Sequence, residues 1–182
     1  MTTHLVLLRG INVSGHNIIK MEVLKTLLEN MGFQNVVTYI QSGNVFVDAD
    51  EEHGPSVGFK IKQEIFRELG LDVPVVVISK KDLHDCLQSN PYLKDKEVDL
   101  RKLYVAFVSQ NLDNRAFNDL KISQFKPDEA SVDGNKIYIK YAVSAGKTRL
   151  DQKYIEKKLK LTATIRNWNT VTTLLTMYEE RN

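Results

Sequence analysis

The sequence predicts an α+β protein built from two ferredoxin-like subdomains in tandem, each with the element order β-α-β-β-α-β and an antiparallel sheet. Short apolar runs of strand length alternate with stretches whose apolar residues recur at helical spacing. In residues 1–79 these elements follow the split βαβ order, and the order then restarts. The predicted organisation is residues 1–79 as the first subdomain, 80–101 as a connecting helix and linker, and 102–182 as the second subdomain with a C-terminal helix.

The first half contains four predicted strands and two predicted helices. Residues 5–8 form a continuous apolar run, which is typical of a strand buried on both faces. The other elements are a helix at 21–31, a strand at 36–41, a return strand starting at 45–47, a helix at 59–69 and a strand at 73–78. Ser42-Gly43 predicts a tight turn. Pro74 predicts that the last strand is an edge strand or begins there.

The second half repeats this order after a connecting helix at 80–88, for which Ser79 is the predicted cap. Its elements are a strand at 103–108, a short helix at 114–120, strands at 130–132 and 136–141 around a hairpin turn at Asp133-Gly134, a helix at 150–159 and a strand at 162–165. A last helix is predicted by apolar residues that recur at helical spacing, namely Val171, Leu174, Leu175 and Tyr178. The repeated order, with Gly43-Asn44 matched by Gly134-Asn135, predicts an internal duplication.

Composition narrows the range of functions. The chain has 182 residues, of which 42% are hydrophobic and 26% charged, an ordinary globular mixture. A formal net charge of +2 gives no basis for nucleic-acid or membrane binding, which requires clustered lysine and arginine. No run approaches the ~18 apolar residues of a membrane span, and the first residues lack signal-peptide features, so a cytoplasmic location is expected. The single cysteine, Cys86, lies in an apolar helical row, which favours a core role over a nucleophile.

The topology predicts that two polar loops of the first half lie side by side. In this fold the loop after the first strand and the turn between the second and third strands share one end of the sheet. The resulting candidate site comprises Arg9, Asn12, Lys20, Gln41, Ser42 and Asn44. Its guanidinium, amide, hydroxyl and backbone N–H groups suit an anion or a nucleotide-like ligand. The alternative is structural, because Asn and Ser in turns commonly bond to their own backbone.

The same geometry predicts a second basic cluster in the second half, comprising Lys147, Arg149, Arg166, Asn167, Trp168 and Asn169. Basic groups beside an aromatic ring can hold a phosphate or a stacked base. The alternative is that Trp168 packs into the core while Asn167 or Asn169 caps the last helix. Gly146-Lys147-Thr148 resembles the end of a P-loop, but the first glycine of that motif would fall at Tyr141, so triphosphatase chemistry is not predicted.

The sequence identifies no metal site, cofactor or catalytic set. The four histidines, His4, His16, His53 and His84, lack metal-ligand spacing, and only His16 lies in a candidate site. No Ser–His–Asp or Cys–His combination can be assembled. Whether the protein is an enzyme is therefore left open at this point.

Three segments resemble the signatures of a bacterial family called domain of unknown function 1697. They are Leu8-Arg9-Gly10-Ile11-Asn12-Val13, Thr38-Tyr39-Ile40-Gln41-Ser42-Gly43-Asn44-Val45 and Ala163-Thr164-Ile165-Arg166-Asn167-Trp168-Asn169-Thr170-Val171. The resemblance spans nearly the whole chain and implies paired ferredoxin-like subdomains. It implies no activity or substrate and marks the candidate residues only as motif positions. The chain departs from the family pattern at Asp151, where a threonine is more usual, so no role for a hydroxyl is expected there.

Three functions follow in order of preference. The first is a binding module for a small anionic or nucleotide-like ligand. The alternative is an enzyme of unknown reaction whose site would use four residues of the first cluster: Arg9, Asn12, Gln41 and Asn44. The third is nucleic-acid binding on an open sheet face, because Lys136, Tyr138 and Lys140 alternate along one strand.

Overall fold

The computed structural model describes residues 1–13 and 15–181, so Ser14 of the first polar loop and the final residue, Asn182, lie outside the described residues. Its contacts divide the chain into two units. The first unit is Met1–Asp82 together with the residues from Tyr178 onward, and the second is Leu83–Met177. Each unit contains a four-stranded antiparallel sheet with ferredoxin-like strand order, which confirms the predicted fold class.

The first unit begins with an almost entirely buried central strand. Its elements are β1 (Thr2–Leu8), α1 (Met21–Asn30), β2 (Gln34–Tyr39), β3 (Asn44–Ala49), α2 (Gly54–Leu69), β4 (Val75–Ile78) and the start of α3 (Lys80–Gln88). The strand order is β2-β3-β1-β4, so β4 is an edge strand, as Pro74 predicts. Leu24 of α1 and Ile61 of α2 belong to the apolar core on one face of this sheet. The helical periodicity of the sequence therefore predicted correctly that these residues of α1 and α2 face the core.

The face of the first sheet away from α1 and α2 is closed by residues from the end of the described chain. The Tyr178 ring meets the Phe46 ring edge-on, with centroids 5.3 Å apart, and its hydroxyl donates to the Thr3 carbonyl oxygen. The Arg181 guanidinium lies over the Phe46 ring and pairs with Asp48 at 3.5 Å. The first unit is therefore assembled from two separate stretches of sequence.

The second unit repeats the topology of the first. Its elements are the rest of α3, β5 (Leu103–Val108), α4 (Asn114–Asp119), β6 (Glu129–Asp133), β7 (Lys136–Lys140), α5 (Gln152–Leu159), β8 (Ala163–Asn167) and most of α6 (Trp168–Glu179). The strand order is β6-β7-β5-β8, the exact counterpart of the first sheet. None of the helices in the described ranges combines the length and the hydropathy that crossing a bilayer demands.

Several element boundaries differ from the sequence prediction, and two of the differences have clear local reasons. β2 ends at Tyr39 rather than at Gln41, because Ile40 adopts a left-handed φ of 50° that extended strands exclude. α5 begins at Gln152 because the Asp151 side chain caps it, accepting a hydrogen bond of 2.8 Å from the Tyr154 N–H. Aspartate and threonine are both good caps, so the departure from the family pattern at Asp151 preserves the helix start.

Cys86 is fully buried, which confirms its core role. Burial raises the pKa of its thiol to about 12, so the reactive thiolate is scarce near neutral pH. We expect a disulfide reagent such as dithionitrobenzoate at pH 8 to modify the folded protein roughly 10³-fold more slowly than free cysteine, measured by the absorbance of released thionitrobenzoate. Denatured protein, which should release one equivalent at once, is the control. Rapid stoichiometric labelling of the folded chain would contradict this assignment.

Candidate functional site

The first unit brings its two polar loops together. The Leu8 N–H donates to the Gly43 carbonyl at 2.8 Å, and the Asn12 side-chain amide donates to the Gln41 carbonyl at 2.8 Å. The predicted juxtaposition of these loops is therefore confirmed. Residues 9–13, 15–20 and 40–44 are called the paired loops below.

Asn12 organises the paired loops. Its Oδ1 accepts from the Ile19 N–H at 2.9 Å, and its Nδ2 donates to the carbonyls of Ile19, at 2.9 Å, and Gln41. Its backbone has a φ of 54°, a left-handed conformation that asparagine tolerates well. Both amide hydrogens are thereby used inside the protein. Asn12 thus shapes the loops and has no amide hydrogen left for a ligand.

The buried residues of the β2–β3 turn also make their contacts within the protein. Asn44 is fully buried, and its Nδ2 donates to the Tyr39 carbonyl at 3.1 Å and to the Ser42 hydroxyl at 2.9 Å. Gly43 has a φ of 76°, and a Cβ built on it would lie 2.8 Å from the Leu8 Cβ. The turn therefore packs directly against the end of β1, where only glycine leaves enough room.

The outward side of the paired loops carries cationic, amide and aliphatic groups. Lys20 and Gln41 are exposed and Arg9 is half-buried. Lys20 is the N-cap of α1 and makes no side-chain cap bond, so the positive end of the helix dipole lies in this region. Three exposed aliphatic side chains share these loops, with exposed fractions of 57%, 62% and 49%: Val13, Ile18 and Ile40. An anion with an attached apolar group complements this surface.

The second predicted cluster is split between the protein interior and its surface. Arg166 is buried on β8, and its Nη1 donates to the Thr164 hydroxyl at 2.7 Å and the Ile165 carbonyl at 3.0 Å. Burial lowers the pKa of Arg166 to about 10. Trp168 is only 3% exposed, as its core alternative predicts. These two side chains belong to the interior.

The rest of that cluster lies near the surface. The Asn167 Oδ1 accepts from the Asn169 N–H at 2.9 Å at the start of α6, while its Nδ2 donates to the Arg101 carbonyl at 3.3 Å. The capping alternative for Asn167 is therefore the arrangement observed. Lys147 and Arg149 are exposed in the connection between β7 and α5. The second cluster thus offers a ligand fewer surface groups than the sequence suggested.

The expected open face on β7 is covered. Tyr138 is fully buried and its hydroxyl donates to the Cys86 carbonyl at 3.2 Å, while Lys136 is only 5% exposed. An RNA-recognition sheet requires accessible aromatic rings. The expectation of an open sheet face at this strand, on which the nucleic-acid alternative was based, was therefore wrong.

Sequence reasoning missed a concave surface at the other end of the first sheet. It is bounded by the starts of β1, α2 and α3 and includes the buried His4. The rule that located the paired loops also places the first strand's beginning beside the second helix's beginning. Applying it to that end would have pointed to His4. Among residues 1–13 and 15–181, no three His, Cys, Asp or Glu side chains are grouped to hold a metal ion.

Comparisons with known proteins agree with this architecture. A family model described as "Protein of unknown function (DUF1697)" matches residues 1–138. The solved structure of the conserved bacterial protein SP0830 from Streptococcus pneumoniae is similar, with a TM-score of 0.76 and 24% sequence identity over 98% of this chain and 99% of that chain. At this identity the likeness shows the shared fold alone. Among curated proteins, none matches the sequence significantly.

Proposed function

The chain belongs to DUF1697, a family of proteins of unknown function, and within it we propose that this protein is a binding module for a small, nucleotide-like anion at the paired loops. One observation carries the proposal: Asn12 hydrogen-bonds to both loops, whose residues include Arg9, the exposed Lys20 and exposed aliphatic side chains. A fixed site binds more tightly because less conformational entropy is lost on binding. The cytoplasm, expected from the sequence, is the proposed location.

The cationic groups of the paired loops support recognition of phosphate. An arginine guanidinium can make two parallel hydrogen bonds to a phosphate group, and Lys20 adds a second charge at the start of α1. The helix dipole contributes about 0.3–1 kcal/mol toward an anion at such a position, against which the Glu22 carboxylate stands in the first turn of α1. Arg9 and Lys20 are therefore assigned to the anionic part of the ligand.

The exposed aliphatic groups of the paired loops support an apolar ring in the ligand. Ile40 is a β-branched residue at a φ of 50°, yet its side chain is 49% exposed. Such a backbone conformation costs on the order of 1–3 kcal/mol and is concentrated at functional sites. An exposed side chain held at that cost is well suited to contact a ligand. A nucleobase lying against Ile18 and Ile40 would bury this apolar surface.

Calorimetric titration tests the proposal with nucleoside monophosphates and diphosphates, inorganic phosphate and the neutral nucleosides. We expect the phosphorylated ligands to bind and Lys20→Ala and Arg9→Ala each to weaken binding about tenfold, because each removes a charge-assisted contact. Affinity should also fall as salt rises. Lys153→Ala, which removes an exposed lysine from α5, is the matched control and should bind as the unaltered protein does. Equal affinity in all three variants, or equal binding of the neutral nucleosides, would refute the assignment.

A further inference from the structure

A cavity of about 660 Å³ lies in the first unit at the end of the sheet opposite the paired loops. Its wall is formed by the start of β1, the start of α2, the end of β4 and the start of α3. Small-molecule sites typically enclose about 300–1,000 Å³. The cavity is therefore large enough for a compact metabolite.

His4 places a fixed hydrogen-bond acceptor in the cavity wall. His4 is only 4% exposed, and its Nε2 lies 2.7 Å from the Glu51 carbonyl oxygen. A carbonyl only accepts hydrogen bonds, so Nε2 carries the hydrogen, and in the neutral ring Nδ1 holds the lone pair. A Cβ built on Gly54, which lines the same cavity, would lie 3.8 Å from Nδ1. The Nδ1 atom therefore adjoins the space that the glycine leaves open.

Gly54 also accounts for the shape of the cavity. A Cβ at this position would lie 3.0 Å from Val77 Cγ1, and one at Gly58 would lie 3.0 Å from Val77 Cγ2. The two glycines therefore let the start of α2 approach β4 closely. As a result, no side chain of residue 54 stands between His4 and the cavity.

Positive charge enters the cavity wall at the starts of α2 and α3. Lys80 and Lys81 line it together with the carboxylates of Glu52 and Asp82, while Arg181, which also lines it, is paired with Asp48 at 3.5 Å. The 16-residue α2 begins here with no side-chain cap and no acidic residue in its first turn, so the positive end of its dipole adds to the cationic field. An anionic group is therefore stabilised on the side of the cavity where α2 and α3 begin.

We propose that this cavity binds a small organic anion that also carries hydroxyl groups, of the sugar-phosphate or hydroxy-acid class. The anionic group lies beside Lys80 and Lys81, and a ligand hydroxyl donates to Nδ1 of His4. This site is separate from the paired loops and does not depend on ligand binding there. Both assignments use only the chemistry of the cavity wall: cations for the anion and a buried acceptor for the hydroxyl.

Nuclear magnetic resonance of the full chain with labelled histidine tests the proposal, because the four histidines give four ring signals. The titrants are glucose 6-phosphate, citrate, inorganic phosphate and neutral glucose. We expect glucose 6-phosphate or citrate to shift the His4 Nδ1 signal, while His16 of the paired loops and the exposed His84 of α3 stay unchanged. Glucose alone should have no effect.

Two variants locate the ligand within the cavity. Lys81→Ala, at an exposed position, should weaken binding about tenfold. Gly54→Ala should suppress the His4 shift, because the added methyl group occupies the space beside Nδ1. Lys25→Ala, which removes an exposed lysine from α1, is the matched control and should leave binding unchanged.

Three results would overturn this proposal: a His4 signal that no organic anion moves, glucose binding as tight as that of glucose 6-phosphate, or unchanged affinity in Lys81→Ala. A shift of His16 alone would also overturn it, while supporting a ligand at the paired loops. The histidine signals thus separate the failure of one site from the failure of the other. If Gly54→Ala proves unstable, the Lys81→Ala affinity still decides the outcome.

Discussion

Gly43→Ala is expected to lower the free energy of unfolding by about 3–4 kcal/mol. An alanine at the observed φ of 76° costs roughly 1–2 kcal/mol. Its methyl group would also lie 2.8 Å from the Leu8 Cβ and 2.9 Å from the Ile11 Cδ1. The Leu8 Cβ is attached to the central strand and cannot turn away, so overpacking adds about 1–3 kcal/mol.

Thermal unfolding of matched variants measures this effect. A loss of that size should lower the melting temperature by about 10 °C in a chain of this length. Gly10→Ala is the control, because Gly10 has a similar φ of 67° but a Cβ there meets nothing within 4 Å. It should cost only the roughly 1–2 kcal/mol of the backbone conformation. Equal losses of stability in the two variants would show that the close packing of the turn against β1 does not contribute to the effect of Gly43→Ala.

Asn12→Ala is expected to cost about 3 kcal/mol and to separate the paired loops. Three side-chain hydrogen bonds would be lost, each contributing about 1 kcal/mol. Alanine would also be less tolerant than asparagine of the φ of 54°. Since Asn12 holds Gln41 and Ile19 in place, ligand binding at the paired loops should be lost together with this stability.

Amide hydrogen exchange and a glycine variant separate the effect of the lost side-chain hydrogen bonds from that of the unfavourable backbone conformation. The Ile19 N–H donates to the Asn12 side chain and should exchange much faster in Asn12→Ala. Asn12→Gly relieves the backbone strain but still lacks the side chain, so it should recover roughly 1 kcal/mol of stability and none of the protection. Unchanged exchange at Ile19 would contradict the organising role of Asn12.

The sequence predicted the architecture well because burial imposes a periodic pattern on every strand and helix. It also placed Arg9 near Gln41, since strand order alone fixes which loops share an end of the sheet. It could not tell which amides turn inward. That choice depends on single backbone angles such as those of Asn12 and Ile40, and side-chain chemistry alone does not determine them.

Buried charged residues limited the prediction of the second cluster. Arg166 was expected at a surface, but it is buried and its guanidinium Nη1 donates to the Thr164 hydroxyl and to a neighbouring carbonyl inside the protein. Lys136 was expected on an open face, yet its side chain is only 6% exposed and its Nζ lies 3.9 Å from an Asp133 carboxylate oxygen. An alternating strand predicts two faces, but it cannot reveal that both of them are buried.

The return of Tyr178 to β1 has a consequence for biosynthesis. Domains generally fold in order from the N-terminus as the chain leaves the ribosome. The second unit, Leu83–Met177, is one continuous stretch and has been translated in full before Tyr178 is added. The first unit must wait for Tyr178 and Arg181 before the contacts around Phe46 can form. The unit whose translation starts first is therefore the last to be completed.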